Sequence, residues 1–310
     1  MTALKIGTRR SALAQAQATL VADAVHAITG RDVELVHVTT HGDVSRDSLA
    51  SIGGTGIFVS ALRDALLMGE IDLAVHSLKD LPTAEMPDLE LIAIPERGDA
   101  RDALVAANGL TLQTLPHNAK VGTGSPRRAA QLKALRADID VVDIRGNVDT
   151  RIGLVESGTV DAVVLAKAGL QRLGRLDAVT ETIDPAVMLP APGQGALAIE
   201  VVRDLAGDDR HALLRQLDDA STRAAVTAER AVLAALEAGC SAPVGALGVV
   251  SELGFAEPEL TLEALVASSD GSAVTRMSIT SPVIDADAAG RQLAARLLDT
   301  AEPAISREHL

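Results

Sequence analysis

The amino-acid sequence predicts two α/β units followed by a smaller α+β domain. Three observations lead to this fold class: strand-like and helix-like runs alternate over the first two thirds of the chain, one short motif occurs at two strand ends, and three hairpin-like strands lie between helices near the C-terminus. Strands that alternate with helices form βαβ units around a mostly parallel sheet. A chain of 310 residues is also too long for one ordinary core.

The first unit is predicted from short apolar runs that alternate with amphipathic runs up to residue 94. We predict strands at residues 4–7, 33–40, 71–75 and 91–94, and helices from residue 12 to about residue 28 and at residues 57–68. Ser11 is a good N-cap for the first helix, because its hydroxyl can accept a backbone N–H. Gly69 follows the second helix, where a glycine commonly ends a helix.

The second unit begins near residue 103 and repeats this alternation. We predict strands at residues 121–123, 141–144 and 161–165, a helix from residue 127 to about residue 137, and a helix that includes Arg151 and runs to residue 158. Ser125 is a candidate N-cap, and Pro126 takes the first helical position, where proline is favoured. A Pro- and Gly-rich connector at 189–195 leads to a strand at 196–202, which we expect to return to the first sheet.

The C-terminal domain is predicted to contain two helices and three strands. The helices span residues 222–237 and 285–301, and the strands lie near residues 246–250, 260–266 and 273–279. Cys240 is the only cysteine, and it lies in the turn after the first of these helices, between Gly239 and Pro243. A thiol in a short turn is accessible to a neighbouring domain. The alternative is a small buried hydrophobe, the usual situation of a free cysteine.

The composition argues against several classes of partner. The formal net charge of −14 argues against nucleic acid, and the absence of Trp and Tyr leaves neither an aromatic cage nor a base-stacking platform. No run of about 18 apolar residues is present, so a membrane span is not expected. A single cysteine cannot form an internal disulfide, and the N-terminal residues lack a secretory signal pattern. We therefore expect a cytoplasmic protein.

A repeated motif and a basic middle segment predict an anion site. Gly-Thr, Ser and paired Arg occur at residues 6–11 and again at 121–128, and residues 120–151 contain seven basic and four acidic residues. Each copy places backbone N–H groups, a hydroxyl and guanidinium groups at the positive start of a helix. Two such units facing each other would form a cleft for carboxylates or phosphates. Neither copy matches a P-loop or a dinucleotide-binding glycine motif, so nucleotide binding is not supported.

Six segments of the chain carry a family resemblance. They are IGTRRS at 6–11, AVHSLKDLP at 74–82, DIRGNVDTR at 143–151, AGLQRL at 168–173, LPAPGQGA at 189–196 and the Cys240 turn. In this order they resemble the porphobilinogen deaminase (hydroxymethylbilane synthase) family, whereas residues 246–310 contain no motif of the family. Gly124, Pro126, Ala238 and Thr55 depart from the usual pattern. Thr55 removes a possible charge contact from the glycine-rich loop at residues 53–56.

The resemblance implies a fold and a reaction. The expected fold is two type II periplasmic-binding-protein-like α/β domains around a cleft, plus a C-terminal α+β domain that carries the cysteine. The expected boundaries are residues 1–96 with 194–216, residues 97–193 and residues 217–310. The implied enzyme is a transferase that joins four porphobilinogen molecules head to tail, releases ammonia and forms hydroxymethylbilane on a covalently bound dipyrromethane primer. A monomer without nucleic-acid or membrane partners is expected.

The resemblance also implies the residues of the site. Cys240 is expected to hold the dipyrromethane cofactor through a thioether, Asp80 to stabilise developing positive charge, and Lys79 to position a cofactor carboxylate. The other expected cofactor-binding residues are Ser77, Thr123, Ser125, Arg127, Arg128, Arg145 and Gly146, with Asp80 and Lys79 also among them. The expected substrate-binding residues are Arg9, Ser11, Arg145, Arg151, Arg172 and Gln194. No metal site is predicted, and a hinge is expected around residues 193–195.

Two other classes of function are left open by the residues alone. A non-catalytic anion-binding module of the periplasmic type would share the two-domain cleft, but the missing secretory signal and the additional cysteine domain speak against it. A hydrolase could use Cys240 with His76 as its base. A satisfied histidine at a strand end is the more common situation, and no third orienting residue is evident.

Overall fold

The computed structural model describes residues 3–38, 56–203, 209–236, 243–251 and 258–301. Cys240 and residues 53–55 of the glycine-rich loop lie outside the described residues. By backbone proximity the chain divides into two compact units: unit 1 contains residues 1–98 and 196–223, and unit 2 contains residues 99–195 and 224–310. The boundaries expected for three separate domains stay a prediction.

Unit 1 is built on one five-stranded sheet. The strands are β1 (Leu4–Thr8), β2 (Val33–His37), β3 (Leu73–Ser77), β4 (Leu89–Ala93) and β10 (Leu197–Val202), together with helices α1 (Ala12–Thr29), α2 (Gly56–Leu67) and α6 (Asp209–Leu214). The strand order is β2-β1-β3-β10-β4. β10 runs antiparallel to both of its neighbours and confirms the predicted return of the chain to the first sheet.

Local sequence signals explain the start of unit 1. α1 begins after Ser11, whose hydroxyl accepts the N–H of Ala14 at 3.3 Å, and it ends at Gly30 in the left-handed conformation (φ 64°). Gly7 lies in β1, and a Cβ at this position would lie only 2.3 Å from the side chain of Ile71. A glycine therefore suits this crowded position in the sheet. The predicted N-cap is therefore confirmed, and β1 packs tightly against its neighbours.

Unit 2 contains a second five-stranded sheet. Its strands are β5 (Asp102–Ala106), β6 (Lys120–Gly122), β7 (Asp140–Val142), β8 (Ala162–Ala166) and β9 (Glu181–Thr182), together with helices α3 (Pro126–Leu135), α4 (Val148–Glu156) and α5 (Lys167–Arg172). The strand order is β7-β6-β8-β5-β9. Ser125 is the N-cap of α3 and Pro126 takes its first position, as predicted. β5, β9 and α5 were not predicted as elements.

The two sheets share one layout. In each, the strand in the fourth position runs against the other four; it is β10 in unit 1 and β5 in unit 2. Both of these strands begin shortly after the chain passes from one unit to the other, at residues 98/99 and 195/196. Since four of the five strands in each sheet point the same way, the predicted mostly parallel sheets are confirmed.

The C-terminal part of unit 2 is an α+β arrangement, as predicted. Helix α7 (Ala220–Ala235) begins in unit 1 and continues in unit 2, where an antiparallel sheet of β11 (Val244–Ser251), β12 (Glu259–Ala267) and β13 (Val274–Pro282) is followed by α8 (Ala286–Thr300). α7 and α8 are in close contact at Gly290, where an added Cβ would lie 2.3 Å from the carbonyl oxygen of Ala228. Within the described ranges, no helix is long and apolar enough to cross a membrane.

Candidate active site

One group of candidate site residues lies at the end of β3 in unit 1. β3 leads directly into one turn of 3-10 helix, Leu78–Asp80. Leu78 is fully buried, and its N–H donates to the carbonyl oxygen of Ala196 at 3.0 Å. Lys79 and Asp80 are half-buried, and the Asp80 carboxylate forms no hydrogen bond or ion pair with any residue that the structure describes. This carboxylate is therefore held by an anchored turn and is available to a cationic group.

The ends of β1 and β3 are fixed by α1. The side-chain amide of Gln17, which is buried in α1, donates to the hydroxyl oxygen of Ser77 at 2.8 Å. The hydroxyl of Thr8, the last residue of β1, donates to the carbonyl oxygen of Ala14 at 3.0 Å. Arg9 follows Thr8 and is half-buried. These bonds fix the backbone around the residues that the sequence assigns to ligand binding in unit 1.

A buried ion network lies beside this turn. Arg63 donates two hydrogen bonds to the carboxylate of Glu200, at 2.7 Å and 3.1 Å, and Nε2 of His76 lies 3.1 Å from Oε2 of the same carboxylate. Burial alone would raise the pKa of Glu200, but the hydrogen bonds from His76 and Arg63 lower it to about 2. His76 thus lies beside a buried carboxylate at the end of the strand. The network was not predicted.

Another group of candidate site residues follows β6 in unit 2. The hydroxyl oxygen of Thr123, a buried residue, accepts the N–H of Ser125 at 3.2 Å, and the hydroxyl of Ser125 caps α3 by accepting the N–H of Arg128 at 3.5 Å. Gly124 lies between them, and a Cβ there would lie 2.7 Å from the carbonyl oxygen of Ile144. A side chain at this position would therefore collide with that carbonyl unless the backbone shifted.

The paired arginines of α3 are bound to one buried carboxylate. Asp102, the first residue of β5, is fully buried and accepts from Nη2 of Arg127 at 2.8 Å and from Nε and Nη2 of Arg128 at 3.0 Å and 2.8 Å. Arg127 also donates to the carbonyl oxygen of Leu189 at 2.6 Å, and Arg128 to that of Val164 at 3.1 Å. Most guanidinium donors of Arg127 and Arg128, which we expected to bind the cofactor, are therefore bonded to groups within unit 2. Asp102 was not predicted as their partner.

The charges in this network do not cancel. Burial alone would raise the pKa of Asp102, but the positive charges of Arg127 and Arg128 lower it to about 2, so it is ionised. Burial lowers the pKa of Arg127, and the neighbouring guanidinium of Arg128 lowers it further. The buried Nε of Arg127 has no hydrogen-bond partner in the described part of the chain. Two cations and one anion leave a net positive charge in the interior.

The connector at residues 189–195 completes this network. The side-chain amide of Gln194 donates to the carbonyl oxygen of Ala100 at 2.7 Å and to Asp102 at 2.8 Å, and its oxygen accepts from Arg128 at 3.3 Å. The carbonyl oxygen of Gly195 accepts from Nη2 of Arg172 at 2.6 Å. These bonds hold the connector inside unit 2, and the hinge expected around residues 193–195 stays a prediction.

Three further arginines extend the positive region of unit 2. Burial lowers the pKa of Arg151, and the nearby guanidinium groups of Arg128 and Arg145 lower it further. No described residue forms a hydrogen bond or ion pair with the side chain of Arg151, and its Nε is buried without a partner. Burial also lowers the pKa of Arg172. Arg145 is exposed and lies 3.2 Å from Asp143, beside Gly146 (φ 109°). Arg151 in particular is a half-buried cation that an anionic ligand would satisfy.

Within the described ranges, no group of three or more His, Cys, Asp or Glu side chains could hold a metal ion. The unpaired guanidinium donors of unit 2 instead suit carboxylates, because a guanidinium binds a carboxylate through two parallel hydrogen bonds. The donor set thus fits a cofactor and a substrate that carry carboxylates. Cys240, the expected anchor, lies outside the described residues.

Comparison with known proteins places this site in a family. The family model described as "Porphobilinogen deaminase, dipyromethane cofactor binding domain" matches residues 4–209, and the one described as "Porphobilinogen deaminase, C-terminal domain" matches residues 223–299. Porphobilinogen deaminase 1 of Streptomyces avermitilis is 56% identical, with 99% of each chain covered. The porphobilinogen deaminase of Mycobacterium bovis is also 56% identical, with 89% of each chain covered.

A solved structure is similar over a smaller part of the chain. The second substrate-binding domain of a putative amino acid ABC transporter from Streptococcus pneumoniae covers 70% of this chain and 91% of its own, with 13% sequence identity and a TM-score of 0.44.

The fold and the family models define a transferase that acts with a dipyrromethane cofactor. The chain belongs to the porphobilinogen deaminase family. The predicted family, fold class, enzyme class, reaction and cofactor are therefore confirmed. This membership replaces the two alternative classes of function, the anion-binding module and the cysteine hydrolase.

Proposed function

We propose that this chain polymerises porphobilinogen with two sets of residues, one that binds carboxylates and one that stabilises the reacting cation. Arginines of unit 2 bind the carboxylates of cofactor and substrate, and Asp80 of unit 1 stabilises the cation formed when ammonia leaves. The observation that carries the proposal is the unpaired guanidinium of Arg151, which lies near two other cations with no described carboxylate bonded to it. A site of this kind is stable only when an anion neutralises it.

The arginines are suited to a growing polycarboxylate. Each pyrrole of the product carries an acetate and a propionate, so the number of carboxylates rises at every step. Arg151 offers its full guanidinium fork, Arg145 is exposed, and Arg172 keeps donors beyond the one bound to Gly195. Arg128 contributes charge more than free donors, because its side chain is bound to Asp102. Binding a carboxylate here removes the mutual repulsion of the guanidinium groups.

Asp80 acts on the reacting pyrrole. When ammonia leaves porphobilinogen, the remaining methylene-pyrrolenine is positively charged, and a carboxylate near the pyrrole N–H stabilises that charge as it develops. The Asp80 carboxylate has no described cation bonded to it that would weaken this effect. Its position is fixed because Leu78 anchors the turn. Lys79 binds a carboxylate of the cofactor next to it.

Cys240 is the proposed anchor of the cofactor. A thioether at this position resists hydrolysis, so the anchor persists while the product is released. When bound, dipyrromethane supplies the free pyrrole carbon on which the chain is extended. Ser77, Thr123, Ser125 and the Arg145–Gly146 turn are proposed to contact it, with Arg9, Ser11 and Gln194 on the substrate side. We also propose a cytoplasmic monomer, which light scattering of the purified protein would test.

The intact mass of the purified protein beside Cys240→Ala tests the anchor first. We expect a mass excess equal to two linked pyrrole units in the parent chain and none in the variant. If the parent chain is unmodified, incubation with porphobilinogen is expected to produce both the adduct and ammonia. An adduct that persists in Cys240→Ala, or a parent chain that forms neither adduct nor ammonia, would contradict the proposal.

Asp80→Asn tests the catalytic role separately. The change keeps the size of the side chain but removes its charge, so the cation is no longer stabilised. We expect kcat to fall by at least about a hundredfold, in the range known for single electrostatic groups, while the cofactor adduct still forms on Cys240. An unchanged kcat would show that Asp80 does not act on the reacting pyrrole.

A further inference from the structure

One buried carboxylate in unit 2 has no part in the proposed chemistry. Glu229 lies in the middle of α7 and is fully buried. Its Oε2 accepts the N–H of Gly193 at 2.6 Å, and its Oε1 accepts the N–H of Gly248 at 2.8 Å. A single side chain therefore joins three segments that are far apart in sequence: α7, the connector at residues 189–195 and strand β11.

The bond to Gly193 lies next to the arginine network. Gly193 precedes Gln194, whose side chain binds both Asp102 and Arg128, and Gly195, whose carbonyl oxygen binds Arg172. Gly193 has a φ of 74° and Gly195 a φ of 90°, so the turn has a backbone that few other residues adopt. A change in the position of Gly193 is therefore expected to move the partners of both arginines.

The bond to Gly248 is fixed by close packing. A Cβ on Gly248 would lie 2.9 Å from the backbone of Ala225, so β11 touches α7 directly. The neighbouring N–H of Ala246 donates to the carbonyl oxygen of Pro190 at 2.9 Å, which ties the same strand to the connector. These backbone contacts fix the distances from α7 to β11 and from β11 to the connector, which the Glu229 side chain spans.

We propose that Glu229 is a positioning residue for the arginines of the active site. Its carboxylate holds the connector against α7 and β11, and this keeps Gln194 and Gly195 where they orient Arg128 and Arg172. The inference rests on the proposed function of these arginines. Cys240 follows the helix that carries Glu229 in the sequence.

Only a carboxylate of this length satisfies both N–H groups. A glutamine at position 229 has one acceptor and one NH₂ group, so it would place a donor against one of the two backbone donors and leave a buried N–H without a partner. An aspartate keeps both acceptors but is shorter by one methylene group. Glu229→Gln therefore tests the charge and the acceptor pattern, and Glu229→Asp tests the reach.

Glu181→Gln is the matched control. The carboxylate of Glu181 also accepts a backbone N–H, that of Leu112 at 2.6 Å, but it lies on the edge strand β9. The three variants and the parent chain are compared as cofactor-loaded proteins below their melting temperatures. The first readout is amide hydrogen exchange at Gly193 and Gly248, and the second is the separate measurement of kcat and KM.

We expect Glu229→Gln to increase exchange at Gly193 and Gly248 by at least about tenfold and to reduce kcat/KM by about tenfold or more, with KM rising because carboxylate binding is weakened. Glu229→Asp is expected to be intermediate, and it replaces Glu229→Gln if the latter does not fold. Glu181→Gln is expected to leave both readouts unchanged. Equal effects of Glu229→Gln and Glu181→Gln, or faster exchange with unchanged kcat and KM, would overturn the positioning role.

The two hypotheses can fail separately. If the parent chain releases no ammonia from porphobilinogen, the proposed function fails, while the exchange measurement still reports whether Glu229 holds Gly193. If the parent chain is active and the Glu229 variants keep its kcat, KM and exchange pattern, the positioning role alone is rejected.

Discussion

Each unit places one buried carboxylate on its single antiparallel strand, but the two carboxylates have different partners. Glu200 on β10 binds one arginine, Arg63, and one histidine, His76. Asp102 on β5 binds two arginines, Arg127 and Arg128. The first network has one arginine for its carboxylate, whereas the second has two arginines and carries an excess positive charge. Two sheets with the same layout have therefore produced one single-arginine network and one cationic, two-arginine network.

The difference follows from where the paired arginines stand relative to the helix cap. In unit 1, Arg9 and Arg10 precede the N-cap residue Ser11 and remain half-buried and exposed, respectively. In unit 2, Arg127 and Arg128 follow the N-cap residue Ser125, so they belong to the first turn of α3 and point into the interior. The repeated motif thus has two structural outcomes, and only the second creates a buried excess of positive charge.

Asp102→Asn tests the cationic network and has the largest expected effect. The variant leaves two buried guanidinium groups without a compensating charge, which costs about 3–5 kcal/mol in the free energy of unfolding. The measurement is urea unfolding followed by circular dichroism. Asp138→Asn is the control, because Asp138 forms a similar pair with Arg136 at the surface and should contribute little. Similar losses in the two variants would contradict the difference in burial.

Glu200→Gln tests the single-arginine network in the same assay. Glutamine keeps one acceptor for Arg63 and leaves one buried arginine without a carboxylate, so we expect a smaller loss of about 1.5–3 kcal/mol. Since this network does not bind ligand in our proposal, kcat/KM of the folded variant is expected to stay near that of the parent chain. A loss of stability larger than that of Asp102→Asn would reverse the comparison.

Acid should weaken the cationic network in a predictable direction. The pKa of Asp102 is lowered from 3.8 to about 2 in the folded chain, so its contribution to stability is present above pH 3.8 and is lost as pH falls toward 2. This contribution is on the order of 2 kcal/mol. The difference in unfolding free energy between the parent chain and Asp102→Asn should therefore shrink on acidification. A difference that is constant with pH would contradict the ionised state of Asp102.

The elements were predictable because their signals are local. The caps Ser11 and Ser125, Pro126 at the first position of α3, and the strand at residues 196–202 could all be read from neighbouring residues or from hydrophobic pattern. The buried networks could not, because Asp102 lies 25 and 26 residues from its arginines and Arg63 lies 137 residues from Glu200. A charged residue next to an apolar strand is the only local sign of such a partner.

The same limit applies to the candidate site. The basic segment and the repeated motif correctly indicated cations near the start of α3. They gave no sign that Arg127 and Arg128 would form ion pairs with the buried Asp102. Arg151 was predicted with the others, and the structure distinguishes it from Arg127 and Arg128 because its side chain has no hydrogen-bond or ion-pair partner among the described residues. Which arginines remain available for a ligand depends on distant contacts, and these are not encoded in spacing.

Arg151→Lys tests the ligand side of the comparison. Lysine keeps the charge but loses the planar fork that binds a carboxylate through two hydrogen bonds. We expect kcat/KM for porphobilinogen to fall about tenfold, which corresponds to about 1.4 kcal/mol, with little change in stability. Arg175→Lys is the matched control, since Arg175 lies in the same unit and pairs with Asp149. Equal losses in both variants would remove Arg151 from the proposed site.

The two helix caps give the smallest expected effects and the closest comparison. Ser11→Ala and Ser125→Ala each remove the hydroxyl that accepts a backbone N–H, at 3.3 Å and 3.5 Å, and each should cost about 1 kcal/mol in the free energy of unfolding. Only the second helix carries its paired arginines in the capped turn. Ser125→Ala should therefore also change the pH dependence of unfolding that arises from Asp102, whereas Ser11→Ala should leave it unchanged. If both variants shift that dependence equally, the position of the arginines relative to the cap does not explain the difference between the two units.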